Sequence, residues 1–152
     1  SPGHRRMIHI RVSPVPIDIA EEMARIEGGT SGAVATFTGI VRSDDGVATL
    51  ELEHYPGATE AALLALGEEA LARWSLEFAT VVHRVGPMAP GERIVFVATA
   101  AAHRGAALDA CAFLIDRLKT DAPFWKRETR AGETRWVEPR AADDAAAASW
   151  QN

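Results

Sequence analysis

Apolar and polar residues alternate through Met-Ile-His-Ile-Arg-Val at Met7 to Val12, the two-residue period of a strand with one buried face. After Pro14 and Pro16 the period lengthens. Ile17, Ala20, Met23 or Ala24, and Ile26 fall at helical intervals, with Asp18 favourable in the first turn and Gly28-Gly29 as the stop. Gly32 to Val41 is built from small and β-forming residues, and Ser43-Asp44-Asp45-Gly46 supplies turn chemistry before a further strand at Val47 to His54. Joined by so short a turn, these two strands are expected to pair as a hairpin.

Pro56-Gly57 breaks the second strand, and Thr59-Glu60 opens a helix carrying Ala62, Leu63, Leu66, Ala70, Leu71 and Trp74, which is expected to lie across a sheet. Glu77 to Arg84 and Arg93 to Thr99 read as strands, with Gly86-Pro87 and Pro90-Gly91 as turn residues between them. A helix from about Ala106 to Lys119 shows an apolar stripe of Leu108, Cys111, Ile115 and Leu118. Lys126 to Arg130 and Thr134 to Glu138 flank Ala131-Gly132-Glu133 as another hairpin, and Ala141 to Trp150 is an alanine-rich closing helix. Hairpins in place of regular βαβ alternation predict an α+β fold with a mainly antiparallel sheet.

Composition narrows this picture. With 152 residues and 47% hydrophobic content, the chain can fill one ordinary core and is short for two, so a single domain over 7–150 is expected. Ser1 to Arg6, aperiodic and rich in Pro, Gly and basic groups, is expected to be a flexible start or a tag remnant. A net charge of -5 argues against a general nucleic-acid surface, so any basic cluster is local. No apolar run approaches the roughly 20 residues that span a bilayer, and no secretory pattern opens the chain, which predicts a soluble, cytoplasmic protein without a membrane partner. The single cysteine, Cys111, excludes an internal disulfide and a cysteine-rich metal site and reads as core packing.

The candidate chemistry is anionic-ligand chemistry. There is no glycine-rich phosphate loop, no His-Glu-x-x-His pair and no Gly-x-Ser-x-Gly elbow; neither His54 nor His83 has a partner at a metal-binding interval. No metal and no cofactor are therefore expected, and both histidines read as hydrogen-bonded structural residues. In LKTDAPFWKRE, from Leu118 to Glu128, Pro123 ends the preceding helix and biases Ala122 toward extended backbone, so the chain turns between Lys119 and Lys126. Two ammonium groups can then share one place, fit for an anion or for amine chemistry on a carbonyl-like group. Lys119 alone would also serve the helix dipole. His103-Arg104 precedes the same helix, where free amides favour a phosphate, but lies a helix length from Lys119. Arg42, at a strand end, reads from position alone as a solvated charge.

FTGIVR at Phe37 to Arg42, LEHYPG at Leu52 to Gly57, HRVG at His83 to Gly86, AHR at Ala102 to Arg104, and LKTDAPFWKRE followed by Trp136-Val137-Glu138 together resemble the large-subunit family of molybdopterin synthase. The resemblance runs in order from about Met7 to Trp150; Ala58 and Ala61 depart from it, standing where larger or charged residues are expected, and the Ser43 to Gly46 turn is short. It implies the α/β hammerhead fold and an enzyme that converts cyclic pyranopterin monophosphate into molybdopterin by forming the dithiolene. The sulfur comes from the C-terminal Gly-Gly thiocarboxylate of a small ubiquitin-like carrier subunit, and a homodimer of large subunits forms the core of a heterotetramer. By the same resemblance Lys119 and Lys126 are catalytic, while Ile40, Val41, Arg42, His103, Arg104, Arg127 and Glu128 bind substrate, with the pocket completed across the dimer. The other reading is a non-catalytic module that binds a phosphate ligand or the carrier with the same basic cluster.

Overall fold

In the computed structural model the described residues are 7–27, 29–42, 46–130, 132–137 and 141–151, with backbone only for 141 and 142. The expected flexible start at Ser1 to Arg6, Gly28 of the helix stop, Ser43 to Asp45 of the turn, Ala131 and Glu138 lie outside them. The elements run β1 (Met7–Ser13), α1 (Ile19–Ile26), β2 (Ala33–Ile40), β3 (Thr49–His54), α2 (Ala58–Trp74), β4 (Phe78–Arg84), β5 (Gly86–Met88), β6 (Arg93–Ala101), α3 (Arg104–Asp121), β7 (Phe124–Arg130), β8 (Glu133–Val137) and α4 (Ala141–Ala148). They form two four-stranded sheets, ordered β1-β4-β6-β2 and β5-β3-β7-β8. Among the described residues only the β1–β4 pair is parallel, which gives the expected α+β, mainly antiparallel architecture.

The first sheet is covered on both faces, which explains why β4 and β6 are apolar almost throughout instead of alternating. Ala79, Val81, Val95 and Val97 face α2 and α3, packing with Leu63, Leu66, Ala107 and Phe113. Their neighbours Phe78, Val82, Phe96 and Ala98 pack against Ile26 of α1 and Ile17 just before it. Asp18 is the N-cap of α1 and accepts from the Glu21 amide at 3.1 Å, satisfying one free donor of the first turn. The same helix brings Glu22, fully buried, within 3.4–3.7 Å of Arg25, Arg11 and His9. Burying a carboxylate without such basic company would be costly.

The expected hairpin of β2 with β3 is not formed. β2 pairs antiparallel with β6, whereas β3 belongs to the other sheet between β5 and β7. The reason lies in burial: β2 carries Ala35 into the large core, while β3 carries Leu50 and Leu52 into a separate cluster with Val41, Val85 and Met88. Residues 86–88, read as a turn, are the short edge strand β5, where Pro87 is tolerated. The stripe of α3 also differs. Cys111 and Leu118 are buried as expected, but Ala107, Ala110, Phe113 and Leu114 are buried beside them and Leu108 is 59% exposed, because the helix is gripped by a sheet and by α2 and α4. Val12, Ile94 and Phe124 touch both the large core and the cluster under the second sheet, forming the seam between them.

The closing helix docks through an aromatic group: Trp150 meets Phe113 and Trp74 with centroids 5.8 Å away in each case, and Trp74 meets Phe113 at 5.1 Å. Phe113 is fully buried at its centre. Truncation there, Phe113→Ala, should remove about 3–5 kcal/mol of unfolding free energy, as large-to-small core changes do. Urea unfolding followed by tryptophan fluorescence measures it; a loss under about 1 kcal/mol would contradict this packing.

Candidate active site

The helix α3 must stop at Pro123. Its C-cap, Ala122, is extended at φ -83° and ψ 130°, and its amide still donates to the Leu118 carbonyl at 3.3 Å. β7 then starts at once with Phe124. The turn is pinned from several sides. Thr59, fully buried in the first turn of α2, donates its hydroxyl to the Pro123 carbonyl at 3.3 Å and accepts the Tyr55 amide at 3.2 Å. Trp125 meets Tyr55 edge to face at 4.3 Å, and Phe124 stacks on His83 at 4.1 Å with 24° between the rings. Arg117 and Asp121, one turn apart, pair at 2.6 Å just before the break. Thr59 and Tyr55 were not among the candidates. The Thr59 helix-start pattern is in the sequence, but no spacing links it to Pro123, 64 positions away.

A cavity of about 700 Å³ opens where the end of β2, the end of α3 and the inner face of the second sheet meet. Six of the nine candidate residues line it: Ile40, Val41 and Arg42 from the end of β2, Lys119 from α3, and Lys126 and Glu128 from β7. Strand alternation sorts the basic run of β7. Lys126, Glu128 and Arg130 face the cavity, with Glu128 pairing to Arg130 at 2.8 Å. Arg127 lies on the other face, where it reaches Glu51 at 3.0 Å and Glu53 at 2.6 Å and lies over the Trp136 ring at 5.0 Å. His103, the N-cap of α3, and Arg104, its first residue, are exposed at the far end of that helix. The fifteen residue steps from Arg104 to Lys119 span about 22 Å at the helical rise, so one chain does not bring this pair to its own cavity.

Four cationic side chains, Arg42, Lys119, Lys126 and Arg130, line the cavity against two carboxylates, Glu128 and Asp143. This local excess stands in a chain of net charge -5 and suits an anionic ligand. Gly39, at the register shift between β2 and β6, admits the approach of the two strands here: a Cβ would come within 2.6 Å of Val95 Cγ1. Among the described residues, no group of three or more His, Cys, Asp or Glu is placed to hold a metal. Cys111 is buried, and burial pushes its thiol up to about 11, so it is packing and not a nucleophile.

His83 is the lining residue that sequence reasoning treated as structural. It is 6% exposed, and burial pushes its imidazole down to about 4, opposed by the contact with the Arg84 carbonyl and reinforced by Lys126 and Lys119. Its neighbour Arg84 points the other way and is held by Pro14 and Glu92. The folded protein thus binds fewer protons than the unfolded chain between pH 6.5 and about 4.

Known proteins resemble this chain over most of its length. The family described as MoaE protein matches residues 12–121. The chain is 49% identical over 145 residues to the molybdopterin synthase catalytic subunit of Escherichia coli, covering 93% of this chain and 97% of that one. To the protein of that name from Ralstonia nicotianae it is 47% identical over 146 residues, covering 93% and 83%. Among solved structures, molybdopterin cofactor biosynthesis protein E from Burkholderia multivorans superposes with a TM-score of 0.81 at 49% identity, over 95% of this chain and 97% of that one. Molybdopterin synthase from Staphylococcus aureus superposes with a TM-score of 0.77 at 31% identity, over 84% and 96%.

The state of His83 gives a stability prediction. Its contribution is fully present above pH 6.5 and is lost as pH falls toward 4, on the order of 3 kcal/mol in total. Urea unfolding of the wild type and of His83→Phe across pH 7 to 4 should show the wild type losing more stability by about that amount; parallel curves would contradict it.

Proposed function

The chain belongs to the MoaE protein family, and we propose that it is the catalytic subunit of a molybdopterin synthase, converting cyclic pyranopterin monophosphate into molybdopterin. Sulfur arrives as the C-terminal Gly-Gly thiocarboxylate of a small ubiquitin-like carrier and ends in the dithiolene. The observation that carries this reading is that Lys119 and Lys126, on either side of the Pro123 turn, line one cationic cavity.

The chemistry follows from what that cavity offers. A thiocarboxylate tail entering it meets two ammonium groups that offset its charge, over an apolar floor of Phe124, Leu52 and Leu118. The thiocarboxylate sulfur bonds to a pterin carbon, and water then attacks the acyl carbon. As the acyl C–S bond breaks, sulfur stays on the pterin and the carrier leaves as a carboxylate. The fixed cations stabilise the negative charge that grows on the acyl oxygen more than the ground state. A lysine can also protonate a departing oxygen. Arg42, with Ile40 and Val41 beside it, offers a fork for the substrate phosphate. Glu128 aims Arg130 within the same wall, and Arg127 acts from behind, tying β7 to Glu51 and Glu53 of β3.

His103 and Arg104 serve the cavity of a second copy. Residues 7–150 act as one unit, two such units pair, and each pair carries two carriers in a cytoplasmic heterotetramer. Among the described residues no helix is long and apolar enough to cross a membrane.

Single-turnover formation of molybdopterin from thiocarboxylated carrier and the pterin precursor tests the lysines. Lys119→Ala and Lys126→Ala should each slow it by about 10²–10⁴-fold while carrier binding stays within a few-fold; wild-type rates in both would refute the assignment. Mixing Lys119→Ala with Arg104→Ala chains tests the shared site. After subunit exchange about a quarter of wild-type activity should return, and no recovery would place Arg104 outside the partner's cavity.

A further inference from the structure

His83 is an imidazole lining the same cavity as the two lysines. His83 lies on β4, paired with Val95 of β6 and Val12 of β1, so its backbone is fixed on both sides. Its Nδ1 lies 2.9 Å from the Arg84 carbonyl oxygen, which can only accept. Nδ1 therefore carries the hydrogen, and Nε2 is left as a bare acceptor. Phe124 covers one ring face at 4.1 Å, and the ring contributes to the cavity lining. The geometry thus fixes the tautomer and the ring plane together.

The charged groups that act on this imidazole are Lys126 on β7, Lys119 on α3 and His54 on β3. The lysines are donors with no accepting capacity, and the other charged side chains lining the cavity with them are Arg42, Glu128, Arg130 and Asp143, of which Glu128 pairs with Arg130. A cavity that must aim an ammonium group at a developing oxyanion gains from a neutral acceptor at its floor. A carboxylate there would hold the ammonium too tightly and cancel the field meant for the ligand.

We propose that His83 is a positioning residue for sulfur transfer: its Nε2 accepts a hydrogen bond from the Lys126 ammonium in the loaded cavity and aims it at the carrier's acyl oxygen. The proposal rests on the molybdopterin synthase reading and adds a group that acts through Lys126. A hydrogen bond to the charged form also favours that form, so His83 keeps Lys126 protonated to higher pH.

Three variants separate aiming from packing. His83→Phe keeps a ring against Phe124 and removes both nitrogens; His83→Gln restores a polar group near the Nε2 position without the stack; His83→Ala removes both. Single-turnover rates and their pH profiles are measured with thiocarboxylated carrier and pterin precursor. Folding is checked by thermal unfolding and carrier binding by calorimetry. The expected result is a rate at least about tenfold lower in His83→Phe, carrier affinity within threefold, a basic limb moved to lower pH, and partial recovery in His83→Gln. A His83→Phe enzyme with the wild-type rate and profile would reduce His83 to packing and overturn the proposal. Should His83→Phe fail to fold, His83→Gln carries the test: a tenfold loss with the limb lowered as far as in His83→Ala would overturn it. Wild type that makes no product would instead refute the functional reading.

Discussion

The turn at Ala122-Pro123 is the constraint on which the site depends. Proline ends α3 and lets β7 begin without a loop, so a helix terminus and a strand start are held a few residues apart. The sharpness of this break would be of little use without anchorage, because an exposed turn of this length samples many directions. Thr59 supplies the anchor from the first turn of α2 by donating to the Pro123 carbonyl, and the His83–Phe124 stack fixes the first residue of the strand. Once Phe124 is fixed, the two-residue period of β7 decides the rest: Lys126, Glu128 and Arg130 face inward, and Arg127 faces out to Glu51 and Glu53.

Charge and burial then divide the work. The cations line the walls, and the His83 imidazole beneath them is held neutral by its burial. This arrangement concentrates positive potential in one cavity of an acidic protein without burying an unpaired charge. Arg84, adjacent to His83, shows the same economy on the opposite face: it is 7% exposed, yet is held by the Pro14 carbonyl and by Glu92.

Much of this was legible in the sequence, and the exceptions have physical causes. Local period marked β1, α1 and α2, apolar runs between turn residues marked β4 and β6, turn chemistry marked the β7–β8 hairpin, and alanine content marked α4. Period does not say which strand pairs with which, so β2 and β3 read as a hairpin although they bury their apolar residues in different clusters. Pro87 hid β5, since proline is compatible with a strand only at an edge. The stripe of α3 held at Cys111 and Leu118 but failed at Leu108, because a helix gripped by a sheet and two other helices has a wide buried arc that a single stripe does not describe. For the cavity, the Lys119–Lys126 pair was visible because proline chemistry is local. The parts played by Thr59 and His83 were not, because each depends on a contact made across tens of residues.

The central claim is that both lysines meet the carrier's terminal carboxyl group in one cavity. A crystal structure of the complex with the carrier tail inserted tests this most directly. The account predicts the terminal carboxyl within hydrogen-bond reach, about 3 Å, of Lys119 Nζ and Lys126 Nζ, above the His83–Phe124 stack. A tail that ends beside His103 and Arg104 of its own large subunit, with the two lysines turned to solvent, would contradict it.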